Sequence, residues 1–215
     1  MDFLPSLPVL GAYIVAVIII IFTPGPDMTL FLGKAVRQGR ASGMAAMFGA
    51  STGILIHTTL VALGLSALLA ASATAFFVLK VVGALYLLWL AIDAVRNGSA
   101  LNLDTSGQPA AGEPLYRAWL KGLAVNLLNP KIIMFFVTFL PQFVSADDPH
   151  ASGILVFLGV VLVAIATPIS ALMIVFAARL ANLLKRTPRV MRTIDGLFAG
   201  IFSAFALRLL FTQRH

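Results

Sequence analysis

A bilayer's hydrocarbon core, about 30 Å thick, is crossed by roughly 20 consecutive apolar residues in a helix. This chain contains six apolar stretches near that length, at 7–31, 44–69, 76–95, 119–144, 152–178 and 194–211. No water-soluble fold accommodates that pattern. Of 215 residues 60% are hydrophobic and only 11% charged, where a soluble domain carries about 25% charged. A soluble enzyme is therefore excluded. The absence of cysteine also excludes a disulfide scaffold, Cys-ligated zinc or iron–sulfur centres and thiol redox chemistry. The expected fold is an all-α integral membrane protein of six transmembrane helices. The first stretch has no basic flank and no small-residue cleavage site, so it reads as a retained span rather than a signal peptide. The second and fifth stretches exceed the length needed, which implies tilt or extension beyond the bilayer.

The formal charge of +7 would suggest nucleic acid in a soluble protein, but here it orients the chain. Lys34, Arg37 and Arg40 follow the first stretch, and Arg96, Arg117 and Lys121 follow the third. Arg179, Lys185, Arg186, Arg189 and Arg192 follow the fifth, bringing that side to eleven of the fifteen basic residues. By the positive-inside rule this side is cytoplasmic and both termini lie outside. No nucleic-acid partner is expected.

The polar segment 97–116 divides the spans three and three, giving a first repeat at 1–96 and a second at 117–215. A duplicated unit with an odd number of spans inserts in opposite orientations, so the expectation is two inverted repeats. Each half carries a break. Thr23, Pro24, Gly25, Pro26 and Asp27 interrupt the first span, and Asn129, Pro130 and Lys131 interrupt the fourth. Proline removes an amide donor and clashes with the preceding turn, while glycine weakens the helix further. An Asn followed by Pro is also a start signal, a cap and then a first helical residue. New helices are thus expected near Pro26 and Pro130, with the breaks near the midplane. Unwound backbone is tolerated there only beside protein or a wet cavity. Facing amino ends, with free amides and positive dipole ends, suit a carboxylate.

Several motifs resemble the LysE/RhtB family of bacterial amino-acid exporters: Pro24-Gly25-Pro26-Asp27, then Arg37-Gln38-Gly39-Arg40-Ala41-Ser42-Gly43, and Gly83-Ala84-Leu85-Tyr86-Leu87. The likeness continues through Asn129-Pro130-Lys131, Phe135-Phe136 and Phe139-Leu140-Pro141-Gln142-Phe143, and so covers nearly the whole chain. The resemblance implies a secondary exporter of amino acids or close derivatives in the bacterial cytoplasmic (inner) membrane, driven by the proton-motive force, with no cofactor. It leaves the particular amino acid and the oligomeric state open, a homo-oligomer included.

Candidate site residues follow by elimination. Asp93 and Asp195 lie three residues from Arg96 and Arg192, spacing suited to helix-surface pairs. Asp27 alone is a deep carboxylate, and such a group is a functional hypothesis by default. It could bind the substrate ammonium, carry a proton, or cap the new helix. Lys131 could pair with Asp27, bind the substrate carboxylate, or extend toward an interface. Asn126, Asn129 and Thr23 are either substrate ligands or backbone caps. His57, within the second span, is either a proton relay or a neutral histidine bonded to a neighbouring helix. Gly49-Ala50-Ser51-Thr52-Gly53 matches a nucleophile-elbow pattern, but that motif needs a strand–turn–helix setting. Small residues allowing close helix packing are the simpler reading, for Gly39 and Gly43 and for Gly196 and Gly200 as well. Rival functions are an inorganic-cation exporter and an intramembrane serine hydrolase. The shortage of deep carboxylates and the lack of His-rich tracts argue against a metal site.

Overall fold

The computed structural model describes residues 5–71, 113–144 and 148–179, with isolated helical positions between 78 and 96 and between 192 and 204. Most of the third and sixth apolar stretches, the segment 97–112, Asp93 and Asp195 lie outside the described residues. Among the described residues all regular structure is helical.

Helix α1 (Leu7–Phe22) ends at Thr23, whose amide and hydroxyl both donate to the Ile19 carbonyl, at 3.0 and 2.8 Å. Pro24 offers no amide to continue the ladder. Gly25 is extended, and Pro26 opens α2 (Pro26–Gln38) as its first residue, where the missing amide costs nothing. The two helices meet at a bend of 52°. Gly39, at φ +93°, ends α2, a left-handed conformation that glycine adopts freely. Helix α3 (Arg40–Ala71) begins immediately. Its 32 residues are about 48 Å long at 1.5 Å per residue, more than a bilayer core requires, as expected for the second stretch.

The second broken pair repeats the plan. Helix α4 (Leu115–Leu127) is followed by Asn129, whose Oδ1 accepts from the Lys131 amide at 3.0 Å. This is the anticipated Asn cap with Pro130 in first helical position. Helix α5 (Pro130–Phe143) turns away by 51°. It is less regular than a plain helix: an α-turn over Pro130–Met134, a π-turn over Phe135–Phe139 and a 3₁₀ turn over Leu140–Phe143. Pro141 supplies no amide, and side chains satisfy backbone carbonyls instead. Thr138 Oγ1 donates to Met134 O at 2.7 Å, and Gln142 Nε2 donates to Thr138 O at 2.9 Å. Helix α6 spans Ala151–Val175.

Among the described residues two helices, Arg40–Gly64 and Ala151–Val175, are long and apolar enough to cross a membrane, and the two bent pairs bring the number to as many as four. Leu7, Val15, Leu60, Leu63, Leu120 and Leu172 are exposed on these helices, which is the surface a lipid-facing protein presents.

Glycines set the closest approaches. A Cβ on Gly49 would collide with the Trp119 carbonyl, and one on Gly122 with the Ala46 carbonyl, so α3 and α4 cross backbone to backbone. Gly53 faces Asn126 and Gly159 faces Thr58 in the same way. The small-residue reading of 49–53 therefore holds. Gly43 packs on Ala35 and Phe31 of α2, whereas Gly39 meets nothing within 4 Å. It is a turn residue, and the packing expectation is corrected for it and for Gly196 and Gly200, which likewise meet nothing within 4 Å.

Two buried apolar clusters result. One gathers Tyr13, Val17, Phe135, Phe136, Phe139 and Leu158; the other gathers Met28, Phe31, Leu32, Met47, Met173 and Ile174. The helix breaks lie between them.

Candidate functional site

The breaks bring polar groups from both halves together. Asp27 stands in the first turn of α2, and its Oδ2 accepts a 2.7 Å hydrogen bond from Asn126 Nδ2, 99 residues away in sequence. Asn126 is fully buried in the last turn of α4, where the glycine at position 53 makes room for its amide. The carboxylate thus leans on the other half rather than on the amides of its own helix. Asp27 Oδ1, Asn126 Oδ1 and Asn129 Nδ2 are buried without a hydrogen-bond partner. Buried polar atoms are nearly always paired, and unsatisfied ones at one junction mark a place where water or a ligand belongs.

Lys131 behaves otherwise than a simple ion pair would require. Its ammonium donates to Thr23 O at 2.8 Å and to Ile20 O at 3.3 Å. Those are the orphan carbonyls that end α1, the negative end of that helix. The described ion pairs do not include Lys131 with Asp27. A cation from the second half therefore caps a helix of the first. Lys131 packs closely over Gly25 on the way: a Cβ there would lie 3.0 Å from Lys131 Nζ. A larger residue at 25 would push the flexible end of Lys131 by a few tenths of an ångström, while the extended backbone there suits any residue.

Thr23 is buried and its hydroxyl is spent on Ile19 O, so it acts as a cap. His57 is buried on α3, stacked on Phe136 at 5.5 Å between ring centroids, and its Nε2 has no hydrogen-bond partner. It is not among the residues lining the cavity described next. Pro24, Gly25, Pro26 and Pro130 shape the two breaks.

A cavity of about 70 Å³ opens between the apolar clusters, walled by Thr23, Asp27, Ser51, Lys131 and Ser170 among predominantly apolar side chains. At about 15 Å³ of such space per water, that is room for several heavy atoms. Ser51 Oγ lies 3.3 Å from Thr167 Oγ1 and belongs to this wall, whereas His57 does not. Among the described residues no three His, Asp or Glu side chains converge as metal ligands.

Sequence reasoning missed two features. Lys34, read as one of the cytoplasmic charges, is buried and pairs with Glu113, which also accepts from Lys121 at 2.6 Å. Gln38 Oε1 accepts from Lys34 at 3.3 Å and from Ser42 Oγ at 2.8 Å, so α2, α3 and the approach to α4 are tied together. The hydrogen bonds from Lys121 and Lys34 hold the Glu113 carboxyl below the usual glutamate range. The second is Tyr13, whose buried hydroxyl donates to Leu158 O at 2.8 Å. Neither pairing has a local sequence signal, since the partners are 79 and 145 residues apart.

Lipid-facing helices, two of them broken, with polar groups from both breaks gathered on a small cavity, describe a membrane transporter rather than an enzyme. More narrowly, the chain belongs to the LysE type translocator family, whose model matches residues 18–213. It is 31% identical to an uncharacterised membrane protein of Vibrio cholerae, over 92% of this chain and 94% of that one. It is 30% identical to the homoserine/homoserine lactone efflux protein of Salmonella typhimurium, over 95% and 96% of the two chains. A leucine efflux protein of Enterobacter is 27% identical over 92% of each. No solved structure matches the chain.

Proposed function

We propose that this protein exports amino acids, or closely related small zwitterions, across the bacterial cytoplasmic membrane in exchange for protons. Six spans arranged as inverted repeats, 1–96 and 117–215 about the linker 97–116, alternate access to a central site, with both termini outside. Asp27 holds the substrate ammonium and, when empty, takes up a proton. The amino end of α2 and the remaining Lys131 proton receive the substrate carboxylate.

The observation that carries this reading is Asp27 itself. A buried carboxylate oxygen without a partner, at the junction of two helix breaks and beside a cavity, is an expensive arrangement to maintain in a membrane. A bound ammonium or a proton satisfies it. The family supports transport, and relatives named for efflux of homoserine, its lactone and leucine support the substrate class. The test is amino-acid efflux from cells overproducing the protein, assayed across a panel of amino acids. Asp27→Asn is expected to abolish gradient-driven efflux while the protein still inserts; efflux at the wild-type rate refutes the assignment.

A further inference from the structure

The exporter reading leaves the side chain of the substrate unspecified, and the cavity wall is informative on that point. Around Asp27 and Lys131 the lining is Met28, Phe31, Met47, Ile54, Ile132 and Leu162, with the neutral hydroxyls of Thr23, Ser51 and Ser170. Among the described lining residues no second charged side chain of either sign stands free to meet a substrate. Asp27 is the lone carboxylate on the wall, and Lys131 already donates two protons to Ile20 and Thr23 carbonyls. The remaining sequence adds no deep carboxylate: Asp2, Asp104, Glu113, Asp147 and Asp148 lie outside the apolar stretches, and Asp93 and Asp195 near their ends.

A single zwitterion uses up these charges. Its ammonium goes to Asp27 and its carboxylate to Lys131 and the α2 amides, so its side chain must lie against the methionines, Phe31 and Ile54. Among the described lining residues a second ammonium or carboxylate would meet no free counter-charge once stripped of water, which is strongly unfavourable. Methionine is unbranched and adaptable, and two methionines on one wall accommodate several apolar shapes.

We propose that this cavity admits zwitterions with a neutral, largely apolar side chain and turns away those carrying a second charge, cationic or anionic. The inference rests on the exporter reading and specifies its substrate class. Full-length protein reconstituted in proteoliposomes would be loaded with labelled leucine, methionine, homoserine, lysine or glutamate at equal concentration, and release followed under an imposed proton gradient. Leucine, methionine and homoserine are expected to leave at least about a hundredfold faster than lysine or glutamate. Lysine or glutamate moving at a rate comparable to leucine overturns the inference and leaves the exporter reading standing. Release of none of the five overturns both. Ser51→Asp, which puts a second carboxylate on the wall, is expected to gain lysine release. A Ser51→Asp protein that moves leucine but no lysine also overturns the inference, and the wild-type panel decides the matter should that variant not fold.

Discussion

Lys131 provides the sharpest separation between a structural and a substrate-binding role. Lys131→Met keeps the length and apolar stem of the side chain and removes the ammonium. The bonds lost are those to Thr23 O at 2.8 Å and Ile20 O at 3.3 Å. In membrane proteins, polar contacts between helices are worth about 0.6 kcal/mol on average and about 1.7 at most. Assigning about 1.7 to the short, charge-assisted bond and about 0.6 to the long one gives about 2 kcal/mol. Relief of the ammonium's own desolvation offsets part of this, while two carbonyls at the end of α1 lose a partner in a water-poor site and oppose that relief.

The expected outcome is thus a destabilisation of about 2 kcal/mol, roughly thirtyfold in the folded-to-unfolded ratio. It would be read from thermal or denaturant unfolding of purified protein in detergent, followed by tryptophan fluorescence. Substrate KM, measured in proteoliposomes at a temperature where the variant is folded, should rise as well, because the proposed site leaves one Lys131 proton for the substrate carboxylate. A Lys131→Met protein of wild-type stability, with KM raised tenfold or more, would refute the cap and make Lys131 a substrate ligand alone.

Two further perturbations test the frame around the site. Gly122→Val forces a side chain into the Ala46 carbonyl, and because the obstacle is backbone the cost should reach the upper end of overpacking, about 3 kcal/mol. Gly64→Ala, with nothing within 4 Å, is the control and should leave the unfolding midpoint unchanged or slightly raised; equal losses for both would remove the close α3–α4 crossing as the cause. Glu113 tests the network at the other end of α2. Its carboxyl pKa is depressed by hydrogen bonds from Lys121 and Lys34, so its stabilising effect is present above the ordinary glutamate pKa of about 4.3 and is lost as pH falls through the lower folded value. Wild type should exceed Glu113→Gln in unfolding midpoint at pH 7, with the gap closing toward pH 3; a gap independent of pH would mean the ion pairs contribute nothing.

What could be read from the sequence, and what could not, follows from the solvent. Local chemistry was legible: proline lacks an amide wherever it stands, so Pro24, Pro26 and Pro130 announced both breaks, and Asn129 announced its cap. Glycine spacing at 49 and 53 announced a close crossing. In a soluble helix, polar periodicity would also have shown which face turns inward. In lipid, that signal disappears, because Met47 on the cavity wall and Leu60 on the exposed surface are equally apolar. The cavity-lining residues were therefore invisible, and only the polar exceptions could be picked out. Even for those, opposite charge alone is a poor guide to hydrogen-bond partners at this junction. Asp27 bonds to a neutral amide and Lys131 to backbone carbonyls, because a helix end is itself a partial charge that a composition count does not register. Asp27 and Lys131 thus each hold onto the opposite half of the chain: Asp27 of the first half to α4, Lys131 of the second to α1. Any motion that moves one half against the other must loosen these bonds, and a ligand that binds both charged groups competes with them directly. In the proposed export cycle, substrate binding and movement of the halves would thus be coupled through the same few atoms.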